Sequence, residues 1–185
     1  NTGIDALLST KKRIDSGTYR ETLEKYDFLN KELPLVLVTF HRRESFGRPI
    51  REIFKNLVKL FNEFPCEIVI PLHLNPNVRE AAKEILFPVG QWIDEVSAVG
   101  NRRKIWLCNP VDYVEFIYLM NQSSLIVSDS GGIQEEAVTL RKSLLIARTI
   151  TERAEALDHN HVLLRDPEAP DFVERCLDFL NHPPP

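Results

Sequence analysis

Along most of the chain, short unbroken apolar runs take turns with longer stretches of helical spacing. Leu35–Thr39 is the first such run, apolar on successive residues and too short for a helix. Residues 67–70, 104–108, 124–128 and Ser143–Ala147 repeat the pattern, and 161–164 makes a sixth run. Between them, residues 49–64 carry Ile50, Ile53, Leu57, Leu60, Phe61 and Phe64 on one helical face. Further helices are predicted over 77–87, 112–121, 133–140 and 170–180. Residues 88–103 read as helix and loop. Residues 1–33 are polar and helical, with Ile4, Leu7 and Leu8 as a short apolar face. Ser16-Gly17-Thr18 breaks that segment, and the cap of a second helix is expected at Thr18 or nearby.

Strands that are apolar throughout, rather than alternating apolar with polar, are buried on both faces. Strand and helix in strict alternation then give an α/β fold: a doubly wound, mostly parallel, six-stranded sheet with helices on both sides. The expected division is a helical segment over 1–33, one α/β domain over 34–182 and a tail over 183–185.

Composition narrows the functional classes. The chain has 185 residues, a net charge of −4 and 43% hydrophobic residues. A chain of that length hides roughly 70% of its unfolded surface, so a substantial core is expected. The acidic balance argues against a nucleic-acid partner. No apolar run approaches the ~20 residues that cross a bilayer, so no membrane partner is expected. Cys66, Cys108 and Cys176 are odd in number and lack CxxC spacing, which suggests reduced, buried thiols and a cytoplasmic setting. The chain starts at Asn1 rather than Met, as a fragment would.

In a parallel sheet, ligands gather beyond the carboxyl ends of the strands. After the first run comes Phe40-His41-Arg42-Arg43-Glu44-Ser45-Phe46-Gly47-Arg48. It suits an anion, because guanidinium forks match phosphate oxygens, and it equally suits a solvated basic loop. After the second comes His73-Leu74-Asn75-Pro76-Asn77, where Asn75 or Asn77 can cap a helix. After the fourth comes Asp129-Ser130-Gly131-Gly132-Ile133-Gln134-Glu135-Glu136, with the only adjacent glycines among seven. Glycines where a strand gives way to a helix let a phosphate approach backbone N–H groups. Glu136, one turn on, is placed to hold a ribose diol; the alternative is a tight turn with a capping serine. After the fifth run, Arg148 and Arg153 add positive charge. His159 and His161 form an HxH pair without a suitably spaced third ligand, so no metal is expected. Trp92, Trp106, Tyr113, Phe116 and Tyr118 read as core or interface, with Phe116 also able to stack on a base. GxGxxG, GxxxxGK[ST] and GxSxG do not occur.

The runs His41-Arg42-Arg43-Glu44-Ser45-Phe46-Gly47, His73-Leu74-Asn75-Pro76-Asn77, Asp129 to Glu136 and Thr151-Glu152-Arg153 succeed one another in that order. Together they resemble the C-terminal half of the non-hydrolysing UDP-N-acetylglucosamine 2-epimerase family. The resemblance implies one Rossmann-like half of a glycosyltransferase-B-like enzyme, with a UDP-sugar held against an N-terminal domain of the same protein, and a homodimer for the whole. It implies that Ser130, Gly131, Gly132 and Arg153 hold the diphosphate, Glu136 the ribose and Phe116 the uracil. It makes His41 catalytic, beside the phosphates or sugar, and places Arg42 and His73 at an adjoining allosteric site. The implied reaction inverts C2 of the sugar by eliminating UDP and adding it back, without a cofactor. A stand-alone nucleotide-sugar binding module and a transferase half of similar architecture are the alternatives.

Overall fold

The computed structural model describes residues 1–95, 103–149 and 161–185. The chain opens with helix α1 (Thr2–Asp15), whose first turn is capped by the Asn1 side chain, and the short α2 (Arg20–Leu23). Then come β1 (Leu35–Thr39), α3 (Arg48–Glu63), β2 (Glu67–Pro71), α4 (Pro76–Ile85) and β3 (Gly90–Trp92). The second half holds β4 (Ile105–Cys108), α5 (Tyr113–Gln122), β5 (Leu125–Ser128), α6 (Gln134–Thr139), β6 (Ser143–Ala147), β7 (Val162–Arg165) and α7 (Phe172–Asn181). Among the described residues, no helix is long and apolar enough to cross a membrane.

The strands form one sheet in the order β3-β4-β2-β1-β5-β6-β7, and every neighbouring pair is parallel. Among the described residues the sheet therefore has seven strands, not the expected six. The additional strand is β3, inside the stretch read as helix and loop. It is three half-buried residues on the sheet edge, so it has no apolar run to betray it. It begins at Gly90, where a Cβ would meet the Leu86 carbonyl at 2.9 Å and the Ile105 carbonyl at 3.0 Å. Only glycine lets the chain pass so close to β4.

Two-sided burial explains the unbroken apolar strands. In β1, Val36 and Val38 face a core built with α3, α4 and α7, while Leu35 and Leu37 face one built with α1, α5 and α6. The same split runs through β2, with Ile68 and Ile70 on one side and Val69 on the other. Each such aliphatic side chain contributes about 1.5–3 kcal/mol on burial. Ile50, Ile53, Leu57 and Leu60 of α3 are buried as the spacing requires, and Phe54 joins them. Leu7, Leu23 and Tyr26 carry the N-terminal segment onto the second core.

One local expectation is corrected. Leu8 is exposed, because α1 turns only Leu7 fully into the core. The second helix does start beside Thr18, at a cap on Tyr19, but without a side-chain hydrogen bond there, following Gly17 at φ +84°. Asn75 does cap α4, accepting the Asn77 N–H at 2.9 Å. All three cysteines are free and buried, and burial pushes their thiols up to about 12.

Candidate functional site

Strand order reverses at the β1–β5 seam, which places a crevice at the carboxyl ends of those two strands. The seam is clasped there by Asp129, the first residue past β5. Its fully buried carboxylate accepts the backbone N–H groups of His41 at 3.0 Å and Arg42 at 2.8 Å. Next to it, the Thr39 hydroxyl meets Ser128 Oγ at 3.2 Å, and Ser128 Oγ accepts the Ser130 N–H at 3.1 Å. The loop after β1 is thus hung from the strand that carries the glycine pair.

Ser130 caps the next turn. Its hydroxyl accepts the Gly132 N–H at 3.1 Å, starting a one-turn 3₁₀ helix over Gly131–Ile133 that runs into α6. Neither glycine has a positive φ. Nothing lies within 4 Å of where a Cβ on Gly131 would point. The fold does not demand glycine there; what its absence of side chain provides is open access to the backbone.

Glu136 comes next, on α6. Its Oε2 is buried and has no hydrogen-bond partner among the described residues. A buried, unpaired acceptor costs about 1–3 kcal/mol, so this oxygen is set to receive a donor from elsewhere. Burial first, then Glu136, raises the Tyr113 phenol above its ordinary range.

A cleft of about 240 Å³ opens between these loops and the start of α5. Thr39, Phe40 and His41 line it from β1, Pro71 and His73 from β2, and Ile133 from the glycine turn. Pro110, Val111, Asp112, Tyr113 and Phe116 form the far wall. That wall is fixed by a capping box in which Asp112 and Glu115 exchange hydrogen bonds. The cleft is mostly apolar with a few polar groups, as small-molecule sites are.

His73 is oriented within it. Its Nδ1 accepts the Asn75 N–H at 3.1 Å, and its ring lies 4.6 Å from that of Phe46. With Nδ1 accepting, the neutral ring carries its proton on Nε2 and presents a donor. Arg79 holds the loop by donating to the Leu72 and His73 carbonyls, both at 3.2 Å, and to Asn109 at 2.8 Å.

His41, His73 and Phe116 therefore share one cleft, and Ser130, Gly131 and Gly132 build the turn at its edge. Arg42 does not face it. It lines a separate hollow with Glu44, Ser45, Pro49, Ala147, Arg148 and Thr149, and its guanidinium pairs with Glu44 at 3.3 Å. Arg153 lies outside the described residues, as do Thr151, Glu152 and His159. The residues that sequence reasoning missed are Asp129, Asp112 and Tyr113. Asp129 stands at the head of the run that ends at Glu136. Its signal was an acidic residue directly after an apolar strand, which the structure buries and pairs.

The family model described as UDP-N-acetylglucosamine 2-epimerase matches residues 1–183. The chain belongs to this family. The epimerase of Neisseria meningitidis is 37% identical over 185 residues, covering 99% of this chain and 46% of that protein. The epimerase of Escherichia coli O157:H7 is 41% identical over 183 residues, 97% of this chain and 45% of its own length. Among solved structures, the Neisseria meningitidis UDP-GlcNAc 2-epimerase bound to UDP-GlcNAc superposes with a TM-score of 0.79 at 36% identity, over 98% of this chain and 46% of that one. The Methanocaldococcus jannaschii UDP-GlcNAc 2-epimerase, in complex with UDP-GlcNAc and UDP, gives 0.66 at 25%, over 98% and 47%. This member of the epimerase family thus spans about half the length of the relatives it matches.

Proposed function

We propose that this chain is the nucleotide-binding, C-terminal half of a UDP-N-acetylglucosamine 2-epimerase that interconverts UDP-GlcNAc and UDP-ManNAc. The observation that carries the reading is the buried oxygen of Glu136, without a partner among the described residues, beside the open turn at Ser130, Gly131 and Gly132. A ribose hydroxyl satisfies the first and a diphosphate the second, and a nucleoside diphosphate joins them. Phe116 offers a face for the base within the same cleft.

The reaction needs UDP to leave and return. A proton is taken from C2, the C1–O bond breaks, and the electron pair becomes the C1–C2 double bond of a 2-acetamidoglucal. Re-addition of the UDP oxygen at C1 and a proton at C2 from the opposite face gives the epimer. Backbone N–H groups of the glycine turn other than that of Gly132, which the Ser130 hydroxyl takes, join Arg153 in stabilising the charge that gathers on the leaving diphosphate. His41, whose backbone is pinned by Asp129 and which lines the same cleft, is the residue assigned to act beside that charge. The acid–base groups for C2 are supplied by the preceding domain, against which the cleft closes in a homodimeric parent. Buried free thiols suit a cytoplasmic setting.

Calorimetric titration of this chain with UDP tests the site, and deuterium exchange at C2 of UDP-GlcNAc by the full-length parent tests the reaction. One-to-one binding and exchange are expected. Absence of both, in the chain and the parent alike, overturns the reading.

A further inference from the structure

Glu115 joins two parts of the molecule that are 89 positions apart. It is 7% exposed. Its Oε1 accepts a 2.9 Å hydrogen bond from the Tyr26 phenol and pairs with the Lys25 ammonium. Its Oε2 accepts the Asp112 N–H at 3.4 Å, while the Asp112 carboxylate accepts the Glu115 N–H at 2.9 Å. A capping box needs only this second exchange. The first oxygen reaches out of the helix to a turn, Glu24–Tyr26, that precedes β1 and does not line the cleft. Tyr26 is buried, and burial together with Glu115 raises its phenol far above the ordinary range, so it stays a donor.

The other end of this network is the cleft wall. Asp112, Tyr113 and Phe116 all line the cleft, and the Phe116 N–H is bonded to the Asp112 carbonyl at 2.9 Å. The glycine turn, by contrast, is held through Asp129, Ser128 and Ser130, none of which is bonded to Glu115. Among the described residues, the hydrogen bonds that hold the two sides of the cleft share no side chain.

We infer that Glu115 is a positioning residue: fastened by Tyr26 and Lys25, it fixes the first turn of α5 and so sets affinity for the part of a ligand seated on that wall, not for its phosphates. The affinity part rests on the nucleotide site proposed above; the positional part does not.

Two variants test it. Tyr26→Phe removes one hydroxyl and keeps the ring; Glu115→Gln keeps the shape and loses the charge. Without ligand, hydrogen exchange at the Glu115 and Phe116 amides should quicken about threefold to tenfold in each, the range one net hydrogen bond spans. Exchange over Gly131–Ile133 should not change. With ligand, the dissociation constant for UDP should rise by a similar factor, and that for inorganic diphosphate should stay as it is. Unchanged exchange in Tyr26→Phe overturns the inference, whether or not Glu115→Gln folds. Equal weakening of UDP and diphosphate also overturns it, since a general loosening does that. If the unaltered chain takes up no UDP while exchange responds as described, the positional inference stands and the nucleotide reading falls.

Discussion

At the scale of single residues, the informative atoms are those whose hydrogen-bond ledger does not balance, or balances only across long sequence separations. Glu136 is the first kind. Because its Oε2 is buried with no partner among the described residues, a donor from a ligand removes a cost. Glu136→Ala should therefore weaken UDP binding by about 1–3 kcal/mol while leaving the ligand-free melting temperature unchanged or higher. Calorimetry and a thermal melt together check the two opposite signs. Asp129 is the second kind. Asp129→Asn sets an amide N–H₂ against one of two backbone donors, and should cost about 1–3 kcal/mol, read from urea unfolding. The turn at Ser130, Gly131 and Gly132 was legible in the sequence because a serine and a glycine pair directly after an apolar strand call for a capped tight turn. The clasp from Asp129 to His41 was not, since its ends are 88 positions apart and only the sheet order brings them together. Glu115 escaped notice for the same reason.

At the scale of elements, legibility tracked burial. The runs Leu35–Thr39 and Ser143–Ala147 became strands of those same bounds because every residue in them is buried. The α3 face was readable because five of its apolar side chains fall on one stripe against the sheet. β3 was not readable, because its pairing depends on a close approach that no side-chain pattern encodes. Gly90→Ala forces a Cβ onto two carbonyl oxygens at about 3 Å and should destabilise by about 1–3 kcal/mol. Amide exchange over 90–92 should then rise above that of β2, since β3 can leave the sheet edge without opening the rest.

At the scale of the whole molecule, the doubly wound arrangement was legible from the alternation of runs, and the position of each strand in the sheet was not. Order depends on crossovers, which leave no local trace. One consequence of the sheet for pH lies at the first residue of β2. Glu67 is buried and accepts from the Trp106 indole of the neighbouring strand. Burial raises its carboxyl above the ordinary value of 4.5, against smaller lowering from the Trp106 and backbone hydrogen bonds. A raised acid favours folding where it is protonated. Its contribution is full below 4.5 and is lost as pH climbs through the raised value. Glu67→Gln should flatten that part of the stability–pH curve, measured by melts from acid to neutral pH.

The β1–β5 seam also bears on synthesis. β1, β2 and β4 all precede β5 in the chain, and a ribosome delivers them first. Until residues 125–128 emerge, the strand that ends up in the middle of the sheet is an edge: Leu-Val-Leu-Val, with half its backbone groups unpaired. Bare apolar edges of this kind recruit other chains. A chain stopped before Leu125 should therefore aggregate rather than persist as half a sheet, and the Asp129 clasp that shapes the crevice is also what ends the period of risk.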